Sequence, residues 1–192
     1  MPKMNHTYAK VNRYENRQLP GNLWYHDHAM HITQDNVGHG LLGDYIIYDP
    51  VVDAQMPSRK YDIFIVAGQH MAKNVINETD SKVYAELRNN PRIPFFTQSG
   101  IALMRNQTYR IRLLNGMFDA IFSNLRFMTD CQIVSGQKTD PATCRKILQF
   151  TVIGSDSAMF NTPVNNVTNL TISSAERFEL LIIFDGNIGN LW

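Results

Sequence analysis

The sequence predicts an all-β fold, a sandwich or barrel. Three observations predict it. Short apolar runs of strand length recur along the chain, as in Tyr61-Asp-Ile-Phe-Ile-Val-Ala67 and Ile147-Leu-Gln-Phe-Thr-Val-Ile153. Turn signals such as Pro20-Gly21, Asp49-Pro50 and Asn115-Gly116 separate them. Helical periodicity is scarce.

In chain order, residues 1–22 are polar and read as a loop with one short strand at most. Pro20-Gly21 turns the chain into an extended stretch rich in Trp and Tyr, Leu23-Trp-Tyr-His-Asp-His-Ala-Met30. Residues 29–34 are expected to make a helical turn or two. Gly38, Gly40 and Gly43 break regular structure, and residues 44–48 form the next strand, which Asp49-Pro50 stops. Residues 51–60 lack periodicity and read as a linker. A second unit then opens with the run at 61–67. Residues 70–100 are expected to be a long surface loop with a weak strand or two, and Ile101 to Met104 a short strand. Thr108-Tyr-Arg-Ile-Arg-Leu-Leu114 alternates, with Tyr109, Ile111 and Leu113 on one face and Arg110 and Arg112 on the other. Strands at 120–127, 147–153, 170–173 and 178–184 complete the set.

The bulk properties narrow the class. The chain has 192 residues, 44% hydrophobic and 18% charged, which is globular. A net charge of +1 without a block of like charge argues against nucleic acid as a partner. The longest apolar run, near Leu180 to Phe184, is too short for a membrane span. The two cysteines, Cys131 and Cys144, have twelve residues between them. A disulfide there would close a small loop. A copper thiolate is the alternative, but that centre needs two histidines beside the cysteine, and none follows His70. Five Asn-x-Thr sequons begin at Asn5, Asn77, Asn106, Asn166 and Asn169. With an even cysteine count they point to a secreted or luminal protein. Residues 1–10 contain no apolar signal-peptide core, so the sequence is expected to be a fragment.

The candidate site is His26 with His28. On a strand, residues two apart point the same way, about 6–7 Å from each other. That spacing is wide for one small ion and suits two ions side by side, one imidazole for each. Neutral imidazole favours copper, zinc, iron or nickel. Two exposed or hydrogen-bonded histidines are the bland reading. Asp27 and Tyr25 face the other way. His31, His39 and His70 read as solvated side chains.

The surroundings carry a resemblance. Leu23-Trp-Tyr-His-Asp-His-Ala-Met30, then Ile32-Thr33, Asn36-Val37, Gly40-Leu-x-Gly43 and Tyr45-Ile-Ile47, resembles the multicopper oxidases. The nearest branch is that of spore-coat laccase, bilirubin oxidase and plant ferroxidase-like proteins. Tyr109-Arg-Ile-Arg-Leu-Leu-Asn115, Ile153-Gly-Ser-Asp156 and Ala175-Glu-Arg-Phe-Glu-Leu-Leu-Ile-Ile-Phe-Asp185 resemble the family's second domain, in the same order.

The resemblance implies a cupredoxin-like Greek-key β-sandwich. Residues 1–50 would be the end of the first cupredoxin domain, 51–60 the linker and 61–192 most of the second, cut at its last strand. It implies that His26 and His28 each bind one copper of the type 3 pair. It implies a copper-dependent oxidase that takes single electrons from a phenol, a pigment or ferrous iron and reduces dioxygen to water. The second domain carries no copper in the family; it spaces and braces its neighbours. Trp24 and Tyr25 read as packing, Asp27 as support for the ligands, and Glu176 and Arg177 as an ion pair or hydrogen-bond anchor at a strand start.

The family's upstream His-x-His-Gly and downstream His-Cys-His elements are absent from this sequence. The chain alone is therefore expected to be inactive, its copper pair completed by the missing cupredoxin domains. Two other readings are a non-catalytic secreted cupredoxin-like module, kept for binding or assembly, and a zinc or single-copper protein using His26, His28 and His31.

Overall fold

The computed structural model describes residues 12–38, 40–68, 95–96, 106–117, 122–131, 133–134, 138–139, 143–156 and 158–185. Within them the protein is mostly strand, as the sequence predicts. The strand expected at 101–104, most of the 70–100 stretch, His39 and His70 lie outside the described residues.

Strands β1 (Gly21–His26) and β2 (Leu42–Ile47) pair antiparallel, with Gly21 opposite Ile47 and His26 opposite Leu42. Their connection holds the short helix α1 (Thr33–Gly38), which begins four residues later than the helical turns expected from residue 29. Asp27 displaces it, because its carboxylate takes the Ala29 N–H and holds those first residues in a turn. A second short helix, α2 (Pro50–Asp53), follows, then a 3₁₀ turn at Arg59–Tyr61. Asp49-Pro50 therefore both ends β2 and starts a helix. Asp49 Oδ1 accepts the Val51 and Val52 N–H groups at 2.8 and 3.1 Å, and Pro50 stands where no N–H is needed.

A six-stranded sheet forms the centre, in the order β12 (Ala158–Val167), β11 (Phe150–Ser155), β14 (Arg177–Ile183), β5 (Thr108–Asn115), β3 (Asp62–Gly68) and β4 (Phe95–Phe96). All neighbours are antiparallel except β3 and β5. Short pairs flank it: β6 (Phe122–Leu125) with β13 (Leu170–Ile172), β7 (Met128–Thr129) with β10 (Lys146–Ile147), and β8 (Ile133–Val134) with β9 (Lys138–Thr139). The run at 147–153 is thus two strands, broken where the Leu148 N–H turns to Phe127 O. A disulfide joins Cys131 to Cys144.

One sheet face builds the apolar core. Tyr109, Ile111 and Leu113 from β5 meet Phe150, Val152, Leu180, Ile182 and Phe184, with Leu148 and Ile172 above them. Phe127, Tyr109 and Phe184 pack edge to face, at 5.6 and 6.3 Å between centroids.

The opposite face of β5 is just as buried, although it carries Arg110 and Arg112, each 1% exposed. Glu179, directly opposite Arg112 on β14, bridges both guanidinium groups. Asp62 receives Arg112 Nε and Nη2 at 2.9 Å each, a two-pronged pair. Asp53 reaches in from α2 to Arg110 Nη1. Charged side chains can be buried here because each has opposite charge and hydrogen bonds around it. Burial opposes the Arg112 charge, but Asp62 and Glu179 outweigh it and push that guanidinium pKa up.

Candidate metal centre

The β1–β2 pair presents the candidate site at one end. Arg177 ties this pair to the central sheet, donating through Nε to Asn22 O at 3.0 Å. Asn22 is itself buried and donates to Leu113 O on β5 at 3.3 Å. Arg177 also pairs with Asp156 at 3.1 Å, while the Glu176 carboxylate accepts the Ser173 N–H at 2.6 Å. Each is an anchor at the start of β14, but the partner of Arg177 is Asp156.

His26 is the last residue of β1, and His28 lies two residues past it. The strand expected to carry both therefore ends at the first. Their rings are nonetheless neighbours, with centroids 5.5 Å apart and planes inclined by 38°. Trp24 stacks on His26 at 4.3 Å and 23°. A row Trp24, His26, His28 results. His26 is half-buried within it and His28 exposed. The strand alternation aligns Trp24 with His26. The following loop brings His28 alongside.

Asp27 organises that loop. Its Oδ2 accepts the Ala29 N–H at 3.0 Å and the Asn36 amide at 2.8 Å. Its backbone N–H donates to Leu41 O at 3.2 Å, and the Leu41 N–H donates to Asn36 O at 3.0 Å. The Asn36 hydrogen bond, then the Ala29 one, holds the Asp27 carboxyl below its ordinary range, with His26 and His28 adding a smaller electrostatic pull. Asn36 is a contributor that strand and helix patterning does not single out. The signal available was its place in the Asn36-Val37 pair of the family motif.

The tautomer of His26 follows from its partner. Its Nδ1 lies 2.7 Å from Asp27 O. A carbonyl only accepts, so Nδ1 is the donor and Nε2 is the nitrogen left to meet a metal. A ring fixed by such a bond, with the other nitrogen open, is the arrangement that suits a metal ligand. The donor set fits copper: two imidazoles side by side, one of them oriented through its Nδ1. His31 is exposed on the turn before α1, with φ 67°. Among the described residues no three His, Cys, Asp or Glu side chains converge on a point that holds a metal.

Solved structures similar to this chain are multicopper oxidases. A variant of McoA from the hyperthermophile Aquifex aeolicus superposes with a TM-score of 0.58 at 18% identity, over 90% of this chain and 36% of that one. A laccase from Pediococcus acidilactici gives 0.56 at 18%, over 87% of this chain and 33% of that one. The class defined by the fold is thus the cupredoxin-like β fold of these oxidases.

Sequence relatives make the assignment narrower. The chain is 32% identical over 184 residues to multicopper oxidase LPR1 homolog 5 of Oryza sativa subsp. japonica, and 32% over 186 residues to the bilirubin oxidase of Albifimbria verrucaria. It is 28% identical over 193 residues to the laccase of Bacillus subtilis. No family model matches the chain. It belongs to the multicopper oxidase family, with similarity across most of its length. The matches cover 91%, 92% and 91% of this chain but only 25%, 29% and 33% of those relatives.

Proposed function

We propose that this chain supplies two ligands, His26 and His28, to a type 3 copper pair in a copper-dependent oxidase. The reaction is one-electron oxidation of a phenol, a pigment or ferrous iron, coupled to reduction of dioxygen to water. Residues 1–50 are read as the end of one cupredoxin domain, 51–60 as the linker and 61–192 as most of a second. The remaining ligands belong to cupredoxin domains outside this sequence.

The observation that carries this reading is the ring pair, with His26 Nδ1 committed to Asp27 O. Bound copper supplies single-electron storage, so that electrons accumulate before the oxygen–oxygen bond is broken. The chain's own residues do the positioning. Asp27 holds the loop that sets His28 beside His26. Trp24 stacks on one face of the His26 ring. Arg177 and Asn22 hold the β1–β2 pair against the central sheet.

Two imidazoles do not close a site of three or more ligands with useful affinity. The isolated chain is therefore expected to bind copper weakly and to turn over no phenol. Tight stoichiometric binding with turnover would overturn that. In protein extended by its flanking coding sequence, copper content and the near-ultraviolet band of the coupled pair are the readouts. His26→Ala and His28→Ala should each lose copper from the pair. Undiminished copper in both variants removes the proposal. The sequons and the Cys131–Cys144 disulfide support a secreted glycoprotein.

A further inference from the structure

Strand β12 forms one end of the central sheet and has no strand on its outer side among the described residues. It is ten residues long and exposed over most of its length, with Phe160 and Val164 37% and 51% exposed. Long exposed edges template pairing with other chains unless something blunts them. Pro163 removes one donor, and register shifts against β11 disturb the ladder.

Two sequons sit where this strand turns into β13, Asn166-Val-Thr168 and Asn169-Leu-Thr171. They share one geometry. The middle residue of each, Val167 and Leu170, packs on the apolar core. The flanking Asn166, Thr168, Asn169 and Thr171 are all exposed. The inward anchor between them turns each asparagine and its threonine outward. Asn166 has φ 59°, a left-handed backbone that asparagine tolerates. Among the described residues, no hydrogen bond engages the side chain of Asn166 or Asn169, whereas neighbouring Asn165 accepts from Thr151 Oγ1 at 2.9 Å.

We propose that the β12–β13 turn is an N-glycan attachment site, with Asn166 and Asn169 as acceptors. The site rests on the secretory reading above. The donor is an oligosaccharide carried on a polyprenyl diphosphate. The bond formed joins the asparagine Nδ2 to the anomeric carbon of the sugar. The bond broken joins that carbon to a phosphate oxygen, and the polyprenyl diphosphate leaves as the amide nitrogen gives up one proton. A glycan here stands at the end of the free edge and blocks the approach of another strand.

The test is secretion of the full chain behind a cleavable signal peptide from a eukaryotic host. The medium is assayed by peptide mapping before and after peptide-N-glycosidase, with thiol labelling of Cys131 and Cys144 in the same sample. The peptide spanning residues 158–176 is expected to carry an oligosaccharide. Asn166→Gln and Asn169→Gln should each retain one, and the double variant should lose it. An unmodified peptide in secreted chain with both cysteines oxidised overturns the site. Retention in the cell with free thiols overturns the secretory reading, and the site falls with it.

Discussion

Asn36 donates its side-chain amide to Asp27 Oδ2 at 2.8 Å, joining α1 to the residue between the two histidines. Nine positions of chain are closed by that bond. Asn36→Ala leaves the β1–β2 pair intact but frees the loop. Amide exchange at Ala29 and Leu41 should accelerate while the global Tm moves little. Unchanged exchange at both amides would show that the loop does not depend on this contact.

Glu179 bridges Arg110 and Arg112 in the interior. Glu179→Ala leaves both guanidinium groups short of negative charge. Removing one partner of a buried network costs about 3–5 kcal/mol. Urea unfolding should show that loss as a lower midpoint at constant m-value. A loss typical of a surface ion pair, under about 1 kcal/mol, would contradict the arrangement.

Gly43 stands opposite Tyr25 on the paired strand. A Cβ at Gly43 would lie 2.6 Å from the Tyr25 hydroxyl oxygen and 2.7 Å from ring carbon Cζ. Tyr25 is 61% exposed and has room to swing away, so Gly43→Ala should cost only about 1 kcal/mol. Thermal unfolding in a Tyr25→Ala background should abolish that penalty. An equal penalty in both backgrounds would refute the contact.

Asp44 lies on β2, where burial raises its carboxyl pKa and the Arg112 charge pulls it partly back. A raised acid binds its proton more tightly folded than unfolded. Its contribution to stability is therefore largest below the unfolded value, about 3.9, and is lost as pH rises through the raised one. Asp44→Asn should raise Tm at pH 7 and change it less at pH 4. The opposite order would mean that the ionised carboxylate is favoured by the fold.

Breaking the Cys131–Cys144 disulfide by replacing both cysteines with serine opens a 13-residue separation. Chain entropy puts the loss near 3 kcal/mol, read by urea unfolding under oxidising conditions. An unchanged midpoint would refute a stabilising role for that bond.

The family, the all-β class and the main strands were legible in sequence, because β5 carries a period-two pattern and β14 a short apolar run, and neither needs a partner to be seen. The histidine pair was legible too, through its spacing and neighbours. Strand β12 was missed, since its middle is Asn-Thr-Pro-Val-Asn-Asn and only an adjacent β11 makes such a sequence a strand. The start of α2 was written in Asp49-Pro50 but read only as a stop.

Sequence by itself determined which residues alternate, where turns fall and which motif carries the imidazoles. Tertiary structure alone decided that Arg110 and Arg112 face an interior, because their acidic partners come from positions 53, 62 and 179, distant along the chain. It also decided that His28 stands beside His26 after the strand has ended. There Asp27 is held by hydrogen bonds from Ala29 and Asn36, contacts that the two-residue period does not encode. Local patterning reports which side of an element a residue occupies; the charge and packing it meets there come from segments far away in sequence.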